Sequence, residues 1–253
     1  MKVLVTFAVD AEFAPWRQLR DFRRASLTPV PSWESRAEGN ELRVVLTGMG
    51  PRRAARALNL VLGDRPDLCI SSGLAGALQP DCRPGEILAA RAVSLAAGGA
   101  AQQSDESLLQ FALLCGAKPV AKFQTSETLV LSAREKSRLG LAADAVEMES
   151  FSVLAEAARR QIPAVAIRAI SDAVGEDLPL DFTQVVNKRG EVSFLRILAQ
   201  GARRPWSLPA LARFGRQSRR SAASLANFLE RFVTTLADRA EQQHEVIEEV
   251  AAT

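Results

Sequence analysis

Residues 145–172 read AVEMESFSVLAEAARRQIPAVAIRAISD, and this stretch from Ala145 to Asp172 decides the fold. An apolar, strand-like opening reaches Glu147-Met148-Glu149 and gives way to alanine-rich, helix-forming sequence. A second apolar run, Ala164 to Ile170, ends in Ser171 and Asp172. A short helix between two buried strands, with acids at both strand exits, is the plan of an α/β enzyme site. Open α/β sheets bind ligands outside the carboxyl ends of their strands.

Working outward, a chain of 253 residues with 47% hydrophobic and 24% charged content can bury a substantial core as one large domain. The net charge is only +3, but the arginines crowd towards the C-terminus. Cys69, Cys82 and Cys115 show no metal-type spacing and read as reduced thiols in a cytosol. One histidine, His244, argues against a multi-histidine metal site and a Ser-His-Asp triad. Acid/base chemistry therefore falls to carboxylates, with no metal and no cofactor expected. The apolar run after Lys2 meets Asp10 too soon for a signal peptide. No segment reaches the about 18 uninterrupted apolar residues of a spanning helix.

Periodicity predicts a buried strand over 2–9 with Asp10 and Glu12 at its carboxyl end, then an amphipathic helix over 13–24. A hairpin pairs 33–37 with 41–46 across Glu38-Gly39-Asn40. The loop Gly48-Met49-Gly50 opens a helix over 52–62, and a short strand covers 67–71. In Ser72-Gly73-Leu74-Ala75-Gly76 the glycines permit close backbone approach. A strand over 86–95, a loop over 96–104, a helix over 108–115, a strand over 120–125 and a helix over 133–141 follow. Beyond Asp172 comes an acidic loop at 175–179, then a basic, aromatic-rich helical segment over 203–237 and a charged tail over 238–253 that frays.

Ala8-Val9-Asp10-Ala11-Glu12, Thr47-Gly48-Met49-Gly50, Ser72 to Gly76, Gly85-Glu86-Ile87, Val146 to Glu149 and Arg168 to Asp172 occur in that order. Together they resemble the nucleoside phosphorylase/nucleosidase superfamily, nearest in motif to methylthioadenosine/adenosylhomocysteine nucleosidases. Ser126 to Leu131 and the stretch after Asp181 look more like a branch of hopanoid-associated phosphorylases, thought to take adenine from adenosylhopane. The resemblance implies a single α/β/α sandwich around a mixed, partly barrel-like sheet, and cleavage of a purine N-glycosidic bond. Residue by residue it implies that Glu12 holds the attacking water, Met148 faces the ribose and Glu149 binds the ribose hydroxyls. Asp172 then serves the purine N7, with Ser171 and Arg168 supporting that strand end. Gly73, Leu74, Ala75 and Leu129 belong to the same expected substrate site.

The chemistry suits these residue types. Breaking a ribosyl–purine bond builds positive charge on the sugar and negative charge on the base. A protonated Asp172 relieves the second, and general acid catalysis contributes about 10²–10⁴-fold. An ionised Glu149 steadies the oxocarbenium and accepts from both hydroxyls. Asp172 must carry a proton when it acts, which burial or the neighbouring acids would favour. Each residue also has a plainer reading. Glu149 could serve a helix dipole, Asp172 could cap a turn, and Met148 could fill core. Arg168 inside an apolar run demands a partner, for which Glu147 is the candidate.

Three features depart from the resemblance. Ser71 and Leu74 stand where phosphorylases hold phosphate with arginine and serine, which points to water as the acceptor. Glu127 to Val130 offers no aromatic to stack on a purine. The connection between Leu95 and Leu108 is short, which leaves the 5′ end of a substrate open. The reading is therefore an adenine-releasing nucleosidase for a 5′-modified adenosine, cytoplasmic and homodimeric, with no nucleic-acid partner. A phosphorylase using the same site, and a non-catalytic nucleoside-binding or membrane-associated protein, are the alternatives. Arginines mixed with Trp206, Phe214 and Phe228 suit peripheral contact with anionic lipid, or equally a helix packing its apolar side on the domain.

Overall fold

Val3, Val5 and Phe7 leave the first strand on one side and Leu4 on the other, and all four are buried, so helices must cover both faces. The computed structural model describes residues 1–26, 28–37, 39–179 and 208–251, with only the backbone course given for Ala37 and 238–251. Its elements run β1 (Lys2–Phe7), α1 (Asp10–Leu19), β2 (Arg23–Arg24), β3 (Ser32–Ala37), β4 (Asn40–Leu46), α2 (Pro51–Val61), β5 (Leu68–Ser71) and β6 (Leu74–Ala77). Then come β7 (Ile87–Leu95), β8 (Gln102–Gln103), α3 (Glu106–Leu114), β9 (Lys118–Thr125), α4 (Ala133–Leu139), β10 (Ala145–Glu147), α5 (Ser150–Arg159), β11 (Ala164–Asp172) and a last helix, α6 (Leu208–Ala251).

The opening stretch is β10, α5 and β11, and β11 is the hub of the sheet. Its first residues pair parallel with β5 and its last with β6, while its other edge pairs antiparallel with β7. Through β10 and β9 that pairing closes a ring, β11–β6–β10–β9–β7. From β5 an open wing continues through β1, β4, β3 and β2. The sheet is thus mixed and partly barrel-like, with α1, α3 and α6 on one face and α2 and α5 on the other.

Some elements differ from the periodicity. The first helix starts at Asp10 and ends at Leu19, because Arg20 turns to extended backbone and sends its guanidinium to Glu230. Arg23 and Arg24 then pair as a strand with Glu34 and Trp33. Leu74 to Ala77, read as glycine-rich close-approach sequence, is a strand. Gln102 and Gln103 form a two-residue strand on β7 inside the expected loop.

On α6 the apolar residues point inward: Leu225, Phe228, Leu229, Phe232 and Val233 are all buried. Trp16 donates to Glu230 at 2.7 Å beside the Arg20 fork, which anchors the helix to α1. Arg213, Arg216, Arg219 and Arg220 are exposed, on the face opposite the apolar stripe at 100° per residue. The packed-helix reading therefore accounts for Phe228 and its neighbours. The helix backbone continues through the tail to Ala251. Trp206, Arg203 and Arg204 lie outside the described residues. No helix among the described residues is long and apolar enough to cross a membrane.

Candidate active site

Three strand ends converge. At the first, β1 turns into α1 and Glu12 falls in the opening helical turn. Its Oε2 accepts from the Ala8 and Val9 amides at 3.0 and 3.3 Å, and its Oε1 from the Leu74 amide at 2.8 Å. The residue is half-buried, but its carboxyl end sits among these backbone donors. Burial raises its pKa; the Leu74 amide, Arg168 and the two other amides only partly offset this. Gly73 makes the fit feasible, because a Cβ there would lie 3.0 Å from Glu12 Oε1 and its φ is +145°.

At the second end, Glu147 and Glu149 take different work. Glu147 accepts from the Glu149 and Ser150 amides at 2.9 and 2.7 Å, so it caps α5. It also binds Arg168 at 2.7 Å and the Thr125 hydroxyl. Arg168 is wholly buried, and the pairing expected for it is present. The helix-end role considered for Glu149 thus belongs to Glu147. Glu149 instead reaches across to the Gly50 amide at 2.8 Å, with Arg168 3.8 Å away.

Steadying an oxocarbenium calls for an ionised carboxylate at Glu149. Burial, then the charge of Glu147, push its pKa to about 8; Glu12 adds to this and Arg168 and the Gly50 amide oppose it. The free protein near neutrality therefore favours its protonated form. Arg168 compensates Glu147 first because it lies closer to it.

The third end carries Asp172, after a register shift between Ile170 and Asp172 that brings it opposite Gly76. Ser171 Oγ lies against Asp172 Oδ1, and 3.2 Å from the Ala75 carbonyl oxygen. A Cβ on Gly76 would be 3.0 Å from Asp172 Oδ2. Contrary to the expected company of burial and acids alone, Asp172 Oδ2 is ion-paired with Lys136, itself fully buried on α4. Sequence reasoning missed this lysine. Its one signal is position: in Ala133-Arg134-Glu135-Lys136-Ser137-Arg138-Leu139 it takes an inward place of the helical period while Arg134, Glu135 and Arg138 are exposed.

The expected residues gather around β6: Leu74 binds Glu12, Ala75 faces the Ser171 hydroxyl, and Gly76 admits Asp172. Leu74 and Gly76 are two residues apart, about 7 Å along a strand. Met148 is half-buried between the two glutamates, and Leu129 is half-buried in the segment leading to α4. A cleft of ≈ 790 Å³ lined by Lys2, Arg20, Arg36, Glu41 and Arg43 lies at the opposite, amino ends of β1 and β4. The converging acids lie at the other, carboxyl ends of the strands, and two of them, Glu12 and Glu149, combine burial with a raised pKa.

The architecture is an α/β/α sandwich whose central sheet is partly closed, with carboxylates from three strand ends meeting over one short strand. The sequence model of the phosphorylase superfamily matches residues 31–139 and 121–200, and the chain belongs to that superfamily. The 5′-methylthioadenosine/S-adenosylhomocysteine nucleosidase of Geobacillus thermodenitrificans (strain NG80-2) is 24% identical over 233 residues, 79% of this chain and 95% of the relative. The structure of the 5′-methylthioadenosine/S-adenosyl homocysteine nucleosidase of Campylobacter jejuni superposes with a TM-score of 0.71 at 18% identity, covering 93% of this chain and 99% of that one. Native futalosine hydrolase of Helicobacter pylori strain 26695 gives a TM-score of 0.69 at 20% identity, covering 92% and 97%.

Proposed function

We propose that the protein is a purine nucleosidase that hydrolyses the N-glycosidic bond of a 5′-modified adenosine and releases adenine. The observation that carries this reading is the meeting of Glu12, Glu149 and Asp172 from three strand ends. In this reading Glu12, whose raised pKa suits a base, takes a proton from the attacking water. Glu149 accepts from the ribose hydroxyls, and those donors favour its carboxylate over the protonated form of the free protein. Met148 packs against the sugar, and Asp172 serves the base. Gly73, Leu74, Ala75 and Leu129 shape the walls, and Arg168 with Ser171 supports the strand end.

Water rather than phosphate is the acceptor we favour. Among the described residues the buried cations are Lys136 and Arg168, and each already rests on a carboxylate. Relatives named as nucleosidases support the same choice. The test is incubation with methylthioadenosine, adenosylhomocysteine and adenosylhopane, with and without phosphate, measuring adenine and the sugar product. Free ribose product without phosphate is expected. Ribose 1-phosphate would make the protein a phosphorylase, and no adenine from any of the three would overturn the reading in favour of a binding protein.

A further inference from the structure

Lys136 is more deeply engaged than an incidental ion pair requires. Its side chain is 0% exposed, and its Nζ meets three acceptors: Asp172 Oδ2, the Ala173 carbonyl at 2.9 Å and the Glu176 carbonyl at 2.7 Å. Three N–H donors against three acceptors is the full complement of an ammonium. The loop after β11 is built around it. Glu176 folds its carboxylate back to the Ala173 amide at 3.1 Å, Asp177 accepts from the Ala133 amide at 2.7 Å, and Leu178 donates to Leu131 at 2.8 Å. Gln217 on α6 holds the Ser171 carbonyl and the Glu176 carboxylate, both at 2.9 Å. The charged groups around Nζ are thus Asp172, and Glu176 through its backbone. Arg134, Glu135 and Arg138 of α4 face solvent, and Glu12, Glu147, Glu149 and Arg168 belong to the other two strand ends.

We propose that Lys136 is a positioning residue that holds the proton delivered to the leaving base through Asp172. The inference rests on the nucleosidase reading above. The pair holds one transferable proton, carried on the Lys136 ammonium that rests against Asp172 Oδ2. As the bond from C1′ to N9 breaks, its electron pair goes to the purine. N7 takes a proton from Asp172, and Asp172 takes one from Lys136 Nζ. The neutral amine left behind still donates two N–H groups to the Ala173 and Glu176 carbonyls, so no buried carbonyl is orphaned. Glu12 takes one proton of the water whose oxygen bonds C1′. Loss of that proton to solvent and return of one to Lys136 close the cycle.

The test compares wild type, Lys136→Met and Lys136→Arg for adenine release from methylthioadenosine between pH 5 and 9. The same proteins are assayed on 4-nitrophenyl riboside, whose leaving group needs no proton, and thermal unfolding checks folding. At pH 8 Lys136→Met should lose about 10²–10⁴-fold on the purine substrate, the scale of general acid catalysis, and regain part of that loss at pH 5, where solvent can supply the proton. Lys136→Arg keeps the charge but does not release its proton, so it should lose at least about 10²-fold as well. It carries the test alone if Lys136→Met does not fold. Nitrophenol release by the folded variants should stay near wild type. A wild-type-like Lys136→Arg, a loss independent of pH, or equal losses on both substrates would overturn the proposal while leaving the nucleosidase reading intact. A wild type that releases no base would remove both.

Discussion

Replacing Glu149 by glutamine tests the charge balance of the site through stability. Glutamine imitates the protonated side chain, and its carbonyl can keep the bond from the Gly50 amide. In the wild type the folded pKa stands at about 8 against an ordinary value of 4.5. The folded state therefore binds the proton more tightly than the unfolded chain does. Its stabilising effect is full below the unfolded value and disappears as pH rises through about 8. At about 1.4 kcal/mol per unit, the ceiling on that loss is roughly 5 kcal/mol. Glu12 titrates in the same cluster and Arg168 can adjust, so about 2 kcal/mol is the working figure. For a domain of this size that corresponds to about 4–8 °C in Tm. Thermal unfolding of both proteins from pH 5 to 9 should give curves that agree near pH 5. They should part steadily, with Glu149→Gln the more stable at pH 8.5 and above. A difference that does not change with pH, or a wild type that gains on the variant in alkali, would refute the reasoning.

The same site yields further expectations. Glu12→Gln and Asp172→Asn should each lower kcat for adenine release by about 10²–10⁴-fold, with folding retained in circular dichroism. Glu147→Gln strips Arg168 of its closest carboxylate and should cost about 3–5 kcal/mol in denaturant unfolding. Combining it with Arg168→Met should cost less than the two changes added. Gly73→Ala places a Cβ 3.0 Å from Glu12 Oε1 at a φ of +145°, so about 1–3 kcal/mol of stability and most activity should be lost in unfolding and adenine assays. Neutralising Arg213, Arg216, Arg219 and Arg220 should abolish any anionic-liposome binding in a sedimentation assay, since α6 has already committed Phe228 and Phe232 to the core.

What was legible in the chain was what local chemistry forces. Ala164 to Asp172 lacks any periodic polar face, and it is buried along its whole length. Arg168 within it had to find a carboxylate, and Glu147 at the end of β10 is the one it binds. The glycines of Ser72 to Gly76 announced close approach without saying to what; Glu12 and Asp172 supply the answer. The dual pairing of β11 with β5 and β6 along one edge was not legible. It depends on a left-handed glycine at 73 and a bulge near Asp172 acting together over about a hundred residues of sequence separation. Lys136 was hidden for a different reason. A lysine among charged helix residues is ordinarily a solvated one, and only the loop folded back over α4 makes it a buried partner.

The two halves of the candidate site carry different charge balances. Around Glu12 and Glu149 acids exceed cations, since Arg168 is spent mainly on Glu147, and proton affinity rises. Around Asp172 a cation is matched one to one with an acid and saturated with carbonyls. Strand β6 meets both, receiving Glu12 at Leu74 and Asp172 at Gly76. Water activation and departure of the base need opposite proton movements in the same step. In the proposed reaction a carboxylate-rich side would suit the first movement and a lysine-paired side the second. Changes at α4 or at Gln217 on α6 should accordingly alter the base end of the reaction while leaving the protonation of Glu149 unmoved.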